Sequence, residues 1–299
     1  MKKMSTIKLS KEPETFSLFG DPLYKTPLRP EIMDKQKKLY DEALKNWEED
    51  PDNADNIIWL GRRTAYLGRF RESIAIYSMG MEKHPDDPRM YRHRGHRFIS
   101  LRFFEQAIDD LEKATELIEG KIDEVEPDGI PNEKGVPVSS LHFNIWYHLG
   151  LAYYLKGEFK KAIQAYEKCM QVSEIDDKVI ATAHWQYMTL RRLFMEKEAE
   201  KVLERIKAEM DVIENFHYYK CLLMYKGVMS AENLLKEARE LGDLGMVTIG
   251  YGVANWHNYN DNTDKAVEIL REIISVEGWA GFGYIAAEAD LYNMGLRPS

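Results

Sequence analysis

Cysteine is nearly absent from this chain. Cys169 and Cys221 are the only two, and they form no C-x-x-C spacing. A disulfide framework and a structural zinc site are therefore not what organises it. The two thiols read as small buried apolar residues rather than as a redox pair. Long apolar runs are missing as well, and none reaches the length that crosses a bilayer. Behind Met1-Lys2-Lys3-Met4, the stretch from Ser5 to Glu14 is polar, so no secretory signal stands there. A soluble cytoplasmic protein is expected, although an exported chain trimmed of its signal would read the same. Positive charge is in deficit: 41 Lys and Arg face 50 Asp and Glu, for a formal net charge of -9. Nucleic-acid binding rests on many Lys and Arg contacts to phosphate, so it is not expected here, and neither is membrane insertion. A local basic stripe remains compatible with that total.

What the chain does have is repetition. Its 299 residues are 44% hydrophobic, enough for a large core. Trp146-Tyr147-His148-Leu149-Gly150-Leu151-Ala152-Tyr153 fits the pattern W-x-x-L-G-x-x-Y, and Ala162 and Tyr166 follow as a small and an aromatic residue. Pro51 and Pro85 stand 34 residues apart (85 − 51), each in a similar acidic turn, and so do Gly61 and Gly95 (95 − 61). Glycine at that tight place lets two helices approach closely. Its cost inside a helix, roughly 0.5–1 kcal/mol relative to Ala, has to be offset by packing. The next such glycine, Gly150, comes 55 residues later (150 − 95), one period plus 21 residues. The excess falls in 120–140, where Pro127, Gly129, Pro131, Gly135 and Pro137 mark a loop. A loop of that length is uncommon unless it is functional or disordered.

These motifs resemble those of tetratricopeptide (TPR) repeats over about residues 54–277. Leu60-Gly61, Leu149-Gly150, Tyr77, Tyr166, Pro85 and the 34-residue period carry the likeness. The whole chain, with Phe19-Gly20-Asp21-Pro22-Leu23-Tyr24 and Glu126-Pro127-Asp128-Gly129, is also similar to bacterial TPR proteins, a likeness that implies no particular activity. The resemblance implies an all-α fold: a right-handed α-solenoid of about six TPR helix pairs with capping helices at both ends. The solenoid domain would span 51–299. Its repeats would lie at about 54–87, 88–121, 143–176, 180–213, 214–245 and 246–277, and a final helix at 279–294 would cover the open end. Residues 30–50 read as an N-terminal capping helix, since Met33, Leu39, Tyr40, Ala43, Leu44 and Trp47 recur at near-helical spacing behind Pro30. Residues 1–29 read as an extended arm docked through Phe16, Leu18, Phe19, Leu23 and Tyr24. A disordered, partner-recruiting tail is the alternative for residues 1–12.

In this family the inward face of each first helix is one stripe of side chains at steps of three and four. The resemblance therefore implies a concave groove. It would be lined by Arg62 and Tyr66; by Arg89, Arg92 and His96; and by Asn144, Tyr147, Leu151 and Tyr154. The later repeats would add His184, Met188, Arg191 and Arg192; then His217, Cys221, Met224 and Tyr225; then Tyr251, Asn255, Asn258 and Tyr259. An acidic chain thus gathers Arg, His, Tyr and Asn on one inner surface. Arg grips carboxylates through paired hydrogen bonds, Asn offers a donor and an acceptor to a peptide backbone, and Tyr gives flat area with a polar tip. A protein or peptide partner is expected, an acidic segment or a C-terminal carboxylate. The opposing reading is that each arginine pairs with a neighbouring helix's Glu or Asp. The family's carboxylate clamp, built on Lys and Asn, is not reproduced at Ile58 and Arg62.

Chemistry is harder to find. No catalytic residue, cofactor or metal site is assigned. His93 and His96 sit at i, i+3, a spacing that can present two metal ligands, but no third ligand is identifiable nearby in sequence. Gly281-Phe282-Gly283 reads as a helix start rather than a phosphate loop. Asp123, Glu124, Glu126 and Asp128 crowd the long loop without EF-hand spacing. That loop is a candidate lid over the basic groove, or a mimic of its ligand. A non-catalytic binding scaffold is the leading expectation. A small-molecule or enzymatic pocket near His96, His142 and His184 is the alternative, and a self-assembling scaffold the second alternative.

Overall fold

The computed structural model describes residues 12–297. Fifteen α-helices, one π-helical turn and one short hairpin are the regular elements of the described residues. The first helix, α1 (Pro30–Glu49), begins on Pro30, whose fixed φ suits a first turn. Six helix pairs follow: α2 (Ala54–Tyr66) with α3 (Phe70–Lys83), α4 (Pro88–Ser100) with α5 (Phe104–Leu117), and α6 (Leu141–Lys156) with α7 (Phe159–Gln171). Then come α8 (Asp176–Arg192) with α9 (Glu196–Leu203), and α10 (Phe216–Tyr225) with α11 (Ala231–Glu240). The sixth pair opens with a composite rod. The short α12 (Asp243–Gly245) runs through a π-helical turn at Met246–Gly250 into α13 (Tyr251–Tyr259), which pairs with α14 (Thr263–Ile273). This is an α-solenoid.

Local chemistry sets the repeat. Asn53 caps α2 by accepting from the backbone N–H groups of Asp55 and Asn56, and Asp87 caps α4 one period later from Arg89, with Pro88 in the first turn. Inside the pairs, a Cβ on Gly61 would collide with the Tyr77 ring, and one on Gly150 would lie 2.6 Å from Tyr166. Those two tyrosines are fully buried. The turn inside every pair holds one residue at positive φ: Gly68, Arg102, Gly157, Phe194, Gly227 and Asp261. Arg102, Phe194 and Asp261 therefore occupy a left-handed conformation that costs a side chain energy and that glycine adopts freely.

The two ends add to the sequence expectation. The arm holds a short hairpin: β1 (Thr15–Phe16) pairs antiparallel with β2 (Pro22–Leu23) around Gly20 at φ +89. Gly20 N–H donates to the Ser17 carbonyl and Ser17 N–H to the Asp21 carbonyl, which closes the turn. The tail reading for residues 1–12 falls almost wholly outside the described residues. The last helix, α15 (Phe282–Asn293), is more than an end cap, because it also turns inward. It packs against α6, α13 and α14, and a Cβ on Gly283 would strike the Val247 carbonyl in the π-helical turn. Glu288 of α15 pairs with Arg102 at 2.7 Å and accepts from the Leu18 backbone N–H at 2.6 Å. Thr15 Oγ1 donates to the Leu101 carbonyl, and Trp279 Nε1 donates to the Tyr24 carbonyl. The hairpin thus ties the second repeat to the end of the solenoid.

Candidate functional site

The inward stripe divides into two clusters with different surroundings. In the C-terminal one, α15 supplies the partners. Asp290 accepts from Arg192 and from the Tyr251 hydroxyl at 3.1 Å. Tyr154 and Tyr251 share a hydroxyl hydrogen bond of 2.7 Å, and Asn255 Nδ2 donates to both, while its Oδ1 accepts from Arg192. Arg191 lies 4.5 Å over the Tyr259 ring and donates to that residue's carbonyl. His184 is fully buried, stacked on Tyr218 and Tyr225, and burial pulls its pKa down to about 3. Met188, Leu151, Cys221 and Met224 are core residues. Tyr225 stacks on Tyr187. Phe282 fills the middle of the stripe, with its ring against His96, His148 and Tyr147. Asn144 bonds Ser139 at 3.2 Å.

The N-terminal cluster is different. Arg62, Tyr66, Arg92, His93, His96 and Arg97, with Tyr77 and Glu126, line a cavity of about 100 Å³. Arg92 Nε is 3.0 Å from Glu126 Oε2, and Arg92 NH1 is 2.9 Å from His93 Nδ1. Arg62 lies 4.5 Å over the Trp59 ring, and Arg97 lies 5.3 Å over Phe70. Neither makes an ion pair among the described residues. Burial holds the pKa of His93, His96 and His148 well below the ordinary imidazole value, reinforced by the nearby Arg92 and Arg97. These rings are neutral at pH 7, so the positive charge is all arginine. Arg97 itself is pulled down to about 10 by burial, which still leaves it charged.

The roof of this cavity is the 120–140 loop. Val125 bridges Ser140 in antiparallel fashion, Glu126 N–H donates to the Ser139 carbonyl, and Leu141 N–H donates to the Glu124 carbonyl. Arg63 NH1 donates to the Gly129 carbonyl at 2.7 Å, where a side chain would strike the Tyr66 hydroxyl. Glu126 is 8% exposed, although its neighbour Val125 is 65% exposed.

The remaining residues sit elsewhere. Arg89 is held outside the cavity by Asp87 and Asp55. His217 bonds Thr248 at 2.9 Å, and Asn258 is half-buried, so neither joins a cluster. The histidine pocket of the sequence reading is not assembled. His96 faces His148, His184 is buried among tyrosines of the other half, and His142 lines an open surface groove with Lys83 and Arg89. No group of three His, Cys, Asp or Glu among the described residues could hold a metal ion. No described helix is long and apolar enough to cross a membrane. Both cysteines are buried and free, and burial pushes the Cys169 thiol up to about 12. Sequence reasoning missed Arg97, Arg102, Phe282, Glu288 and Asp290. Arg97 stands one place off the stripe, next to His96, and the basic run Arg92-His93-Arg94-Gly95-His96-Arg97 was its signal.

A tetratricopeptide-repeat model matches residues 143–174, the stretch of α6 and α7. Those residues carry a tetratricopeptide repeat. Among curated proteins, the BBSome complex member BBS4 of Bos taurus is 24% identical over 140 residues. That match covers 47% of this chain, and the chain spans only 23% of the relative. Solved structures give similar matches. A tetratricopeptide repeat protein from Parabacteroides merdae has a TM-score of 0.48 at 15% identity, covering 86% of this chain and 97% of that one. YrrB, a TPR protein with an unusual peptide-binding site, has a TM-score of 0.43 at 16% identity, covering 85% and 98%.

Proposed function

We propose that this TPR protein is a non-catalytic scaffold that recognises an acidic segment of a partner protein at the arginine cavity of repeats one and two. TPR folds serve as protein-interaction scaffolds in general, and what distinguishes this one is the cavity. The observation that carries the reading is that Arg62 and Arg97 line it with no ion pair among the described residues, while Asp290 of α15 already occupies the other half of the stripe. Partly buried guanidinium groups facing a polar cavity are a standing demand for anions, because charge-assisted hydrogen bonds gain strength where water is scarce. A carboxylate fits the available volume, whereas a large cofactor does not.

The test is fluorescence anisotropy with a labelled Glu/Asp-rich decapeptide. Neither arginine is paired among the described residues, so Arg62→Ala and Arg97→Ala orphan no described buried carboxylate, and both variants should keep wild-type helicity. Each should weaken peptide binding about tenfold or more, the loss of one charge-assisted contact at about 1.5–3 kcal/mol. Binding should also fall with added salt. Equal affinity for the wild type and both variants would sink the assignment.

A further inference from the structure

Resting on that reading, we propose that the loop segment 124–128 is a tethered copy of the ligand, and that the partner's segment binds by displacing it. Glu124-Val125-Glu126-Pro127-Asp128 runs extended, held by the Val125–Ser140 bridge and by backbone bonds on both sides of it. In extended chain, alternate side chains share a face. Glu126 and Asp128 therefore lie on one side, while Val125 and Pro127 are exposed. Glu126 sits on Arg92 and within 3.8 Å of His93 Nε2. Asp128 feels Arg62, yet burial first and then Glu214 raise its pKa, so its carboxylate is poorly matched where it lies.

Three features mark the segment as an occupant rather than a fixed part of the wall. Its Glu126 carboxylate lines a cavity whose other charged groups are Arg62, Arg92 and Arg97, and Asp128 lies within the field of Arg62. It is carried by a loop with exposed apolar side chains, Ile122, Val125 and Ile130, which the solenoid does not cover. It leaves Arg62 and Arg97 without an ion pair among the described residues, so a free segment able to reach them would bind better than the loop does. The partner chemistry follows: an extended acidic stretch with carboxylates at i and i+2, stiffened between them as Pro127 stiffens this one. A short tether holds the loop at an effective concentration on the order of mM. A free peptide with an intrinsic Kd of ~100 µM would then appear about tenfold weaker.

The probe is the synthetic peptide of residues 123–130, Asp-Glu-Val-Glu-Pro-Asp-Gly-Ile, titrated into the full chain. Glu126→Ala/Asp128→Ala should bind it about tenfold more tightly than the wild type, and adding Arg97→Ala should abolish the gain. Equal affinity for the wild type and the double variant, with Arg97→Ala still weakening both, overturns the tethered competitor but leaves the arginine site standing. No binding to any of them overturns the competitor too, and the decapeptide titration then decides the site separately. Because Glu126→Ala leaves Arg92 buried without its partner, a second measurement uses the wild type. Under saturating peptide, the amides of Glu126 and Leu141 should exchange faster with deuterium as the loop lifts. Unchanged protection at saturation overturns the proposal.

Discussion

The two halves of the inner stripe carry the same kinds of residue and treat them differently. In repeats three to six, Arg192, Tyr154, Tyr251 and Asn255 converge on one another and on Asp290, and the neighbouring rings are core. In repeats one and two, Arg62 and Arg97 border a cavity and rely on aromatic faces. A concave Arg-rich stripe is thus no guide to binding by itself. Where the chain's own helix completes the hydrogen-bonding, the stripe is structure. Where it leaves charges short of partners, the stripe is a candidate site. The opposing reading, that arginines pair with neighbouring carboxylates, describes Arg89, Arg191 and Arg192, and describes Arg92 through the loop.

Freeing α15 should have the largest effect. Arg102 and Glu288 form a pair with side chains only 3% and 2% exposed. Replacing one partner of such a pair leaves a buried charge and typically costs about 3–5 kcal/mol. Glu288→Ala should therefore lower the unfolding free energy by about that amount in urea titrations. It should also expose the Asp290 cluster, seen as faster hydrogen exchange in α13 and α15. If α15 is a mere end cap, the loss will be under 1 kcal/mol, and the C-terminal stripe regains standing as a site.

Acid acts on the N-terminal half. His93 and His148 are buried and kept neutral by desolvation, with Arg92 adding to it. Their folded pKa values lie below the unfolded value of about 6.5. The unfolded chain therefore takes up protons first as pH falls. Stability is complete above about pH 6.5 and is lost below it, by up to about 1.4 kcal/mol per pH unit for each imidazole. Between pH 7.5 and 5.5 these two should cost about 2–3 kcal/mol. The amides of α4 and α6 should lose protection before those of α10 and α11. A urea midpoint that does not move over this range contradicts the neutral, buried state of both rings.

How much of this was readable beforehand depends on sequence distance. The helix pairs were legible because Gly61 with Tyr77, and Gly150 with Tyr166, recur within one period and collide when either changes. The loop was legible from its prolines and glycines, and its acidic run already suggested a lid or a ligand mimic. The frames for the later repeats slipped at their edges, since the sixth pair begins at Asp243, before a π-helical turn that interrupts the usual spacing. The inward turn of α15 was not legible. Glu288 and Arg102 lie 186 residues apart, and a single pair of opposite charges leaves no periodic mark. Nothing local to Arg192 or Asn255 shows that Asp290 would reach them.

One comparison needs only the turns. Arg102 and Phe194 occupy the same place in their pairs, at φ 67 and φ 57, where Gly68, Gly157 and Gly227 stand in others. A side chain in that conformation costs roughly 1–2 kcal/mol, and glycine gives back part of the saving as backbone entropy, about 0.5–1 kcal/mol. Arg102 offsets its strain through Glu288, the Ser100 carbonyl and the Trp279 carbonyl. Phe194 is 91% exposed, and nothing in the structure explains its strain. The same substitution should then have opposite signs at the two sites. Phe194→Gly should stabilise the chain by about 0.5–1 kcal/mol, whereas Arg102→Gly should destabilise it by several kcal/mol because Glu288 loses its partner. Chemical denaturation of both variants beside the wild type reads the signs directly. A destabilised Phe194→Gly would mean that the ring packs in solution, so that the turn is strained for a structural reason and not left free.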